Sequence, residues 1–424
     1  MRPFFVLIDT KIPVLHLTQR RSSEINDVTS CEPQAPQTPD RVPLPVYVLA
    51  FTILAFTTSE FMVSGLMNNL ARDLPASIPS VGYLIAIYAL SMVIVAPPAS
   101  IFLTRFRPKS ALLAISIVFI IGELIAAAAP NYAVIVIGRI LTGAAAGTAY
   151  GVTLSIAAQA VPEKIRGRAI GIVMGGNTIG TVIGLPVASF LGNAFGWRLA
   201  FAFVAVLAAI ALAASFVLVP AVDAGPRPKI LTQLSELKNG SLWLAYATSG
   251  LLIGGVFSIF SYFSPILTER AGFDQSWVPI ILAAYGVACV IGITVVSRLC
   301  DDFPLSVACV GAVVIFLSGL LFLLGDSNSV AVLVGVAALG FAGVSLNPAF
   351  AVRVMRVGGT SFVVNTVHTS IICFGIFLGA SLGGVIIDLS ASVHSVYYLS
   401  LVFAGVGILV LLPKLGNTRA ELRR

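Results

Sequence analysis

The sequence predicts an all-α membrane protein whose twelve transmembrane helices fall into two six-helix halves. Three observations carry this. Of 424 residues, 58% are hydrophobic and only 10% are charged, and the mean hydropathy is +1.01. A soluble domain carries about 25% charged residues, so there is too little charge here to coat the two or three soluble domains of this length. Apolar runs of the roughly 20 residues needed to cross about 30 Å of hydrocarbon recur along the chain. One long internal polar stretch, 220–241, with Pro220, Pro226, Pro228, Lys229 and Lys238, divides those runs six and six. Together these exclude a cytosolic globular enzyme, a disordered chain and a disulfide-stapled module.

The first six spans are expected near 44–67, 80–103, 110–129, 132–158, 168–191 and 198–219. The last six are expected near 242–267, 277–299, 305–325, 329–354, 365–388 and 393–413. Only helices or closed barrels satisfy their backbone in lipid, and long unbroken apolar runs do not read as the alternation of a barrel. Residues 1–43 hold Pro33, Pro36, Pro39, Arg20 and Arg21 without sustained periodicity. They read as a disordered cytoplasmic tail, or as the product of a start codon assigned too far upstream. Residues 414–424 read as a short cytoplasmic tail.

Orientation follows from lysine and arginine placement. With both termini cytoplasmic, the inner side holds Arg105, Arg107, Lys109, Lys164, Arg166, Arg168, Arg227, Lys229, Lys238, Arg298, Arg353 and Arg356. Lys414, Arg419, Arg423 and Arg424 add to it, whereas the outer loops hold Arg72, Arg198 and Arg270. The net charge of +7 is therefore topogenic, and no nucleic-acid partner is expected. Cys31, Cys289, Cys300, Cys309 and Cys373 form no CxxC pair and read as thiols without a redox or metal role.

Three ionisable residues lie deep in predicted spans: Glu60, Glu123 and Arg139. Each costs roughly 2.5–3.5 kcal/mol on insertion scales unless paired or facing water. At ~1.5 Å per residue, Glu60 lies about 24 Å, and Glu123 and Arg139 about 20 Å, above the inner side. A guanidinium favours the charged form of a neighbouring carboxylate, whereas burial favours the neutral form. The combination suits a proton-loading site. Two plainer readings stay open. Arg139 could pin helices by bonding backbone carbonyls, and Glu123 could face headgroups or a helix contact. Glu60 sits in the polar patch Thr57-Thr58-Ser59-Glu60, which favours a cavity.

Glycines recur every four residues at Gly143, Gly147 and Gly151, at Gly176, Gly180 and Gly184 followed by Pro186, and at Gly375, Gly379 and Gly383. This spacing lets helix backbones approach closely. The second half has no ionisable residue at mid-depth. It offers Phe257, Phe260, Tyr262, Phe263, Tyr285, Asn347, Asn365 and His368, of which Phe257, Tyr262, Asn347 and His368, with Asn177 of the first half, are candidates for a substrate cavity. A mostly apolar cavity with a few polar groups suits an amphipathic or neutral organic solute; His368 could equally be a structural histidine. No GxxxxGK[ST] or HExxH motif occurs, so neither ATP-driven transport nor catalysis through these motifs is indicated. No cofactor or metal is expected.

Several motifs, in order, resemble the major facilitator superfamily. Gly138-Arg139-Ile-Leu-Thr-Gly143 resembles its fourth-helix signature, and Gly180-xxx-Gly184-Leu-Pro186 resembles its antiporter motif. Thr58-Ser-Glu-Phe-Met-Val-Ser-Gly65, Val161-Pro-Glu-Lys-Ile-Arg-Gly-Arg168, Phe195-Gly-Trp-Arg198 and Tyr262-Phe-Ser-Pro-Ile-Leu267 are similar to the twelve-span drug and sugar efflux branch, which includes chloramphenicol-resistance and arabinose-efflux-like proteins. The resemblance covers about 44–413. It implies the major facilitator fold and proton-coupled export by alternating access, with Arg139 matching the arginine associated with proton coupling. Gly180, Gly184 and Pro186 match the antiporter motif, although Leu185 separates a Gly-Pro pair that is adjacent in the common form. Arg105 and Lys109 match the basic end of the loop signature between the second and third helices, where Thr104 stands in place of Asp; Arg298 and Asp301 keep more of that signature in the second half. These four residues are the expected cytoplasmic gate.

The sequence is thus expected to be a proton-coupled exporter of drug-like molecules, for example of the chloramphenicol type. It is read as a monomer in a bacterial inner membrane, with a small molecule, protons and the lipid bilayer as partners. In the expected cycle, protonation of Glu60 weakens its bond to Arg139. Sugar or metabolite efflux by the same fold, a proton-independent facilitator, and a non-transporting membrane receptor are the alternatives.

Overall fold

A computed structural model describes residues 42–222, 233–359 and 361–421. The tail expected at 1–43 lies outside these residues over 1–41, as does the linker over 223–232; Cys31, Arg227, Lys229, Arg423 and Arg424 fall there too. The described residues fold into twelve long helices. They are α1 (Leu44–Asp73), α2 (Ile78–Leu103), α3 (Pro108–Ala127), α4 (Tyr132–Gln159), α5 (Glu163–Phe195), α6 (Trp197–Leu218), α7 (Gly240–Phe260), α8 (Val278–Leu299), α9 (Pro304–Gly325), α10 (Ser329–Gly358), α11 (Phe362–Ser390) and α12 (Ser395–Glu421). Eleven helices among the described residues are long and apolar enough to cross a membrane, and Ser395–Leu411 of α12 adds a shorter apolar helix.

The helix starts obey local chemistry. Ser77, Asn131, Asn328 and Ser361 each cap a helix by accepting a main-chain N–H two or three residues on, which satisfies donors that no helical carbonyl reaches. Prolines occupy the first turn of α1, α2, α3, α8 and α9, where a missing N–H costs nothing. Gly196 joins α5 to α6 at φ +97°, a conformation open mainly to glycine.

Three helices are interrupted. In α5 a π-turn spans Gly180–Gly184, directly before Leu185 and Pro186. A π-turn takes up one more residue than an α-turn, so Leu185 is accommodated without rotating the rest of the helix. After α7, Phe263–Pro265 leads into a second π-turn, Ile266–Arg270. In α10 the break at Val344–Leu346 precedes a separate segment, Asn347–Gly358. That segment changes one expectation: Arg353 and Arg356, read as loop residues, are helical, and Arg353 is buried.

The glycine repeats face neighbouring backbone. In α4, a methyl group on Gly143 would meet the Tyr88 main chain of α2, and one on Gly147 would lie 3.1 Å from Met92 Cα. In α5, a methyl on Gly176 would strike Ala50 O, one on Gly180 would lie 2.8 Å from Leu54 O, and one on Gly184 would strike Thr58 Oγ1, all on α1. Gly375 and Gly379 of α11 abut Gly250 and Gly254 of α7 in the same way. The halves meet where α2 lies along α11 and α5 along α8, so the glycine-packed helices α2, α5 and α11 also form much of the seam.

Gly175 and Gly176 provide a matched test. A side chain at Gly175 would meet nothing within 4 Å, so Gly175→Ala should be neutral or stabilising, because alanine favours helix by about 1 kcal/mol. Gly176→Ala should destabilise by about 1–3 kcal/mol as the α1–α5 contact opens. Thermal unfolding of the two purified variants in detergent measures the difference.

Candidate functional site

Arg139 lies on α4 with no solvent exposure. Its guanidinium is fully engaged. Nη1 donates to Ser59 O at 2.9 Å and to Ser59 Oγ at 3.1 Å. Nη2 donates to Glu60 O at 3.3 Å, and Nε donates to Leu84 O at 3.3 Å. The Tyr88 ring lies 4.2 Å from the guanidinium carbon. One side chain thus ties α4 to α1 and α2.

Ser59 extends the chain. Its hydroxyl accepts from Arg139 and donates to Glu123 Oε1. Glu123, on α3, is fully buried, and its second carboxylate oxygen has no hydrogen-bond partner among the described residues. Arg139, Ser59 and Glu123 therefore form a guanidinium–hydroxyl–carboxylate relay across α4, α1 and α3. Of the readings left open for Glu123, the structure places it at a helix contact.

Glu60 differs from the sequence expectation. Arg139 holds its main-chain carbonyl, and among the described residues no carboxylate lies within 4.0 Å of the guanidinium. The expected direct Glu60–Arg139 bond is therefore corrected to a bond through the backbone. The cause is α-helical geometry: the relay uses the Ser59 side chain, and the next residue projects about 100° further round the helix. Glu60 retains slight exposure, 7%, and its neighbour Phe61 packs on Phe257 and Phe260 of the other half.

Next to it, toward the chain termini, lies a second polar cluster. Thr57 Oγ1 donates to Asn177 Oδ1 at 2.8 Å, Tyr150 OH donates to the same oxygen at 2.8 Å, and the two hydroxyls lie 3.0 Å apart. Asn177 is thus held by α1, α4 and α5 together.

The other sequence candidates scatter. Phe257 packs on Phe61, with ring centroids 5.6 Å apart. Tyr262 is corrected from a cavity residue to a packing residue: it is unexposed, donates to Ala380 O at 2.7 Å and fills the space left by Gly82 and Gly383. His368 Nε2 lies 3.1 Å from Ser249 Oγ and stacks on Tyr246, the structural role held open for it. Asn347 is partly exposed, and its Oδ1 is buried without a partner among the described residues. The four gate candidates are not brought together. Arg105 lies over the Phe102 ring and Lys109 over Phe216. The main-chain oxygen of Asp301 accepts from Arg356, and Arg298 is exposed.

Sequence reasoning missed the polar latch at the end opposite the chain termini. Asn68 Nδ2 donates to Thr268 Oγ1 at 2.8 Å and to Gln275 Oε1 at 2.9 Å. Gln275 Nε2 donates to Asn193 Oδ1 at 3.2 Å, and Tyr83 OH donates to Asp388 Oδ2 at 3.4 Å. Among the described residues, these are the side-chain hydrogen bonds that cross between the halves. Uncharged amides at helix ends carry no motif, so only their depth in the apolar pattern could have marked them.

A multi-span membrane protein with two bundles, a latched seam and a buried charge relay at mid-depth is the architecture of a solute carrier. A family model described as Major Facilitator Superfamily matches residues 49–372, and the chain belongs to that superfamily. It is 31% identical over 371 residues to an uncharacterized MFS-type transporter, YtbD, of Bacillus subtilis (strain 168), covering 85% of this chain and 93% of that protein. It is 32% identical over 276 residues to the chloramphenicol resistance protein of Streptomyces lividans, covering 63% of this chain and 70% of that protein. It is 28% identical over 379 residues to the inner membrane transport protein YdhP of Escherichia coli (strain K12), covering 87% of this chain and 95% of that protein.

Removal of the bridging hydroxyl tests the relay. Ser59→Ala leaves the Glu123 carboxylate without its donor and should lower stability by about 1–3 kcal/mol. Ser64→Ala, which removes only a bond to Phe61 O in the same helix, should cost far less. Thermal unfolding in detergent gives the comparison.

Proposed function

We propose that the chain is a proton-coupled exporter of small drug-like organic molecules, of the chloramphenicol type. It works by alternating access as a monomer in a bacterial inner membrane, with both termini cytoplasmic. The observation that carries this reading is the charge count of the buried site. One guanidinium, Arg139, stands against two buried acidic residues: Glu123, which it reaches through Ser59, and Glu60, whose main-chain oxygen it binds. Glu123 takes its share through Ser59. Glu60 is the remaining negative charge, and an unbalanced charge in a low-dielectric interior is costly. A proton on Glu60 makes the cluster neutral; its departure restores the negative charge. Because the adjacent Phe61 packs on Phe257 and Phe260 of the other half, that change acts at the seam.

The rest of the cycle follows from the seam. The latch at the far end, which this reading places on the outer side, holds the conformer shut to the outside. Solute enters from the cytoplasm or inner leaflet, and the Thr57–Tyr150–Asn177 cluster and the Phe61–Phe257 pair offer it polar and aromatic contacts. Outward opening requires that the amide latch part, and neutral hydrogen bonds separate at modest cost because water replaces them. The relative named for chloramphenicol resistance supports a drug-like cargo. The hydroxyl-and-amide chemistry around Asn177 favours a second reading, export of a polar sugar or metabolite.

In proteoliposomes carrying a pH gradient, Glu60→Gln should reduce proton-driven accumulation of the solute to the level of empty vesicles, while solute exchange without a gradient persists. Full gradient-driven transport by this variant would remove Glu60 from the coupling step. A growth-inhibition panel of chloramphenicol-like drugs and toxic sugar analogues, in an efflux-deficient strain, decides between the two cargo classes.

A further inference from the structure

The two deeply buried arginines are treated very differently. Arg139 makes four hydrogen bonds and lies over an aromatic ring. Arg353, in the last segment of α10, is only 6% exposed, yet neither Nη1 nor Nη2 has a hydrogen-bond partner among the described residues. No described carboxylate lies within 4.0 Å of it, and the titratable group that acts on it is the Cys309 thiol of α9. A buried cation without a partner costs several kcal/mol, and five donors in a fixed fork suit a planar or tetrahedral oxyanion.

The surroundings specify what would complete the site. Arg353 is one turn from Arg356, whose Nη2 donates to Asp301 O and so holds the end of α10 against the α8–α9 turn. Asp301 and Asp302 in that turn are exposed. The helix that follows, α9, starts at Phe303 and Pro304 with no side-chain cap, so its first N–H groups and positive dipole end stay available. Leu299 at the end of α8, Phe303 before α9 and Val310 within it are 46%, 60% and 65% exposed, an apolar collar on the two helices of that turn. We propose that Arg353 anchors a binding site for a phosphate-bearing anion at the α8–α9–α10 corner. An anionic phospholipid would bring its phosphate to the guanidinium and its chains to the collar; a free phosphate would use the guanidinium alone. The site is separate from the Glu60 cluster and stands independently of the transport reading.

The test uses the full-length protein in phosphatidylcholine nanodiscs, with thermal unfolding as the readout. Three conditions are compared: phosphatidylcholine alone, phosphatidylcholine with inorganic phosphate, and phosphatidylcholine mixed with phosphatidylglycerol. The wild-type midpoint should rise by a few degrees with phosphatidylglycerol. A rise with inorganic phosphate as well assigns the site to phosphate in general; a rise with the lipid alone assigns it to a headgroup. Arg353→Met should be more stable than wild type in phosphatidylcholine alone, since it removes an uncompensated charge, and should lose the rise, whereas Arg356→Met should keep it. A wild type indifferent to both additives, or an Arg353→Met protein that responds like wild type, overturns the proposal. If Arg353→Met fails to assemble, native mass spectrometry of wild type from the mixed nanodiscs decides: preferential retention of phosphatidylglycerol supports the site, and retention in proportion to the mixture overturns it.

Discussion

Everything else in the molecule is arranged around one electrostatic constraint: a guanidinium and two carboxylates held in a lipid-embedded interior. Arg139 and Glu123 have no solvent-accessible surface, so their charges are balanced largely by the chain itself. The balance is made through a hydroxyl. Ser59 stands between the two ions, receiving from one and giving to the other. Within the polar patch Thr57–Glu60, Ser59 and the Glu60 main-chain oxygen are ligands for the ions on neighbouring helices, and Thr57 holds Asn177. The main-chain oxygens of Ser59, Glu60 and Leu84 complete the coordination of Arg139, so the same residue both neutralises charge and fastens α1 and α2 to α4.

That fastening has a mechanical counterpart in the glycines. Inside each half, backbone meets backbone at Gly176, Gly375 and Gly379, with no long side chain to accommodate motion. Such contacts make the bundles stiff. The seam between the halves adds amide hydrogen bonds at one end and aromatics at mid-depth to close glycine contacts of its own, such as Gly286 of α8 against Val182 of α5. Close-packed bundles joined by amide hydrogen bonds that water can replace are what the rocking motion proposed above requires.

Much of this was legible in the sequence. The twelve spans follow from hydropathy, and the glycine repeats announced which helices would touch closely. The depth estimates brought Glu60, Glu123 and Arg139 to one level, and the structure connects all three. The details that failed share a cause: they depend on angle around a helix axis and on tertiary partners. Ser59 and Glu60 are adjacent in sequence but point about 100° apart, so the side chain that meets Arg139 is that of Ser59 and not, as expected, that of Glu60. Tyr262 looked like a cavity aromatic because periodicity cannot show that Gly82 and Gly383 leave a slot for it. Arg353 falls at the very end of the expected span 329–354, and hydropathy cannot show that the helix continues to Gly358 and buries it. The amide latch had no signature, since Asn68, Asn193 and Gln275 come from three distant segments.

The central claim is that the cluster holds a single exchangeable proton and that Glu60 carries it. Infrared difference spectroscopy of the reconstituted protein, followed across a pH titration, reads the C=O stretch of a protonated carboxylic acid directly. The account predicts one titrating band that disappears in Glu60→Gln and persists in Glu123→Gln. A band that persists in Glu60→Gln and is lost in Glu123→Gln, or the absence of any titrating carboxyl in wild type, would contradict it.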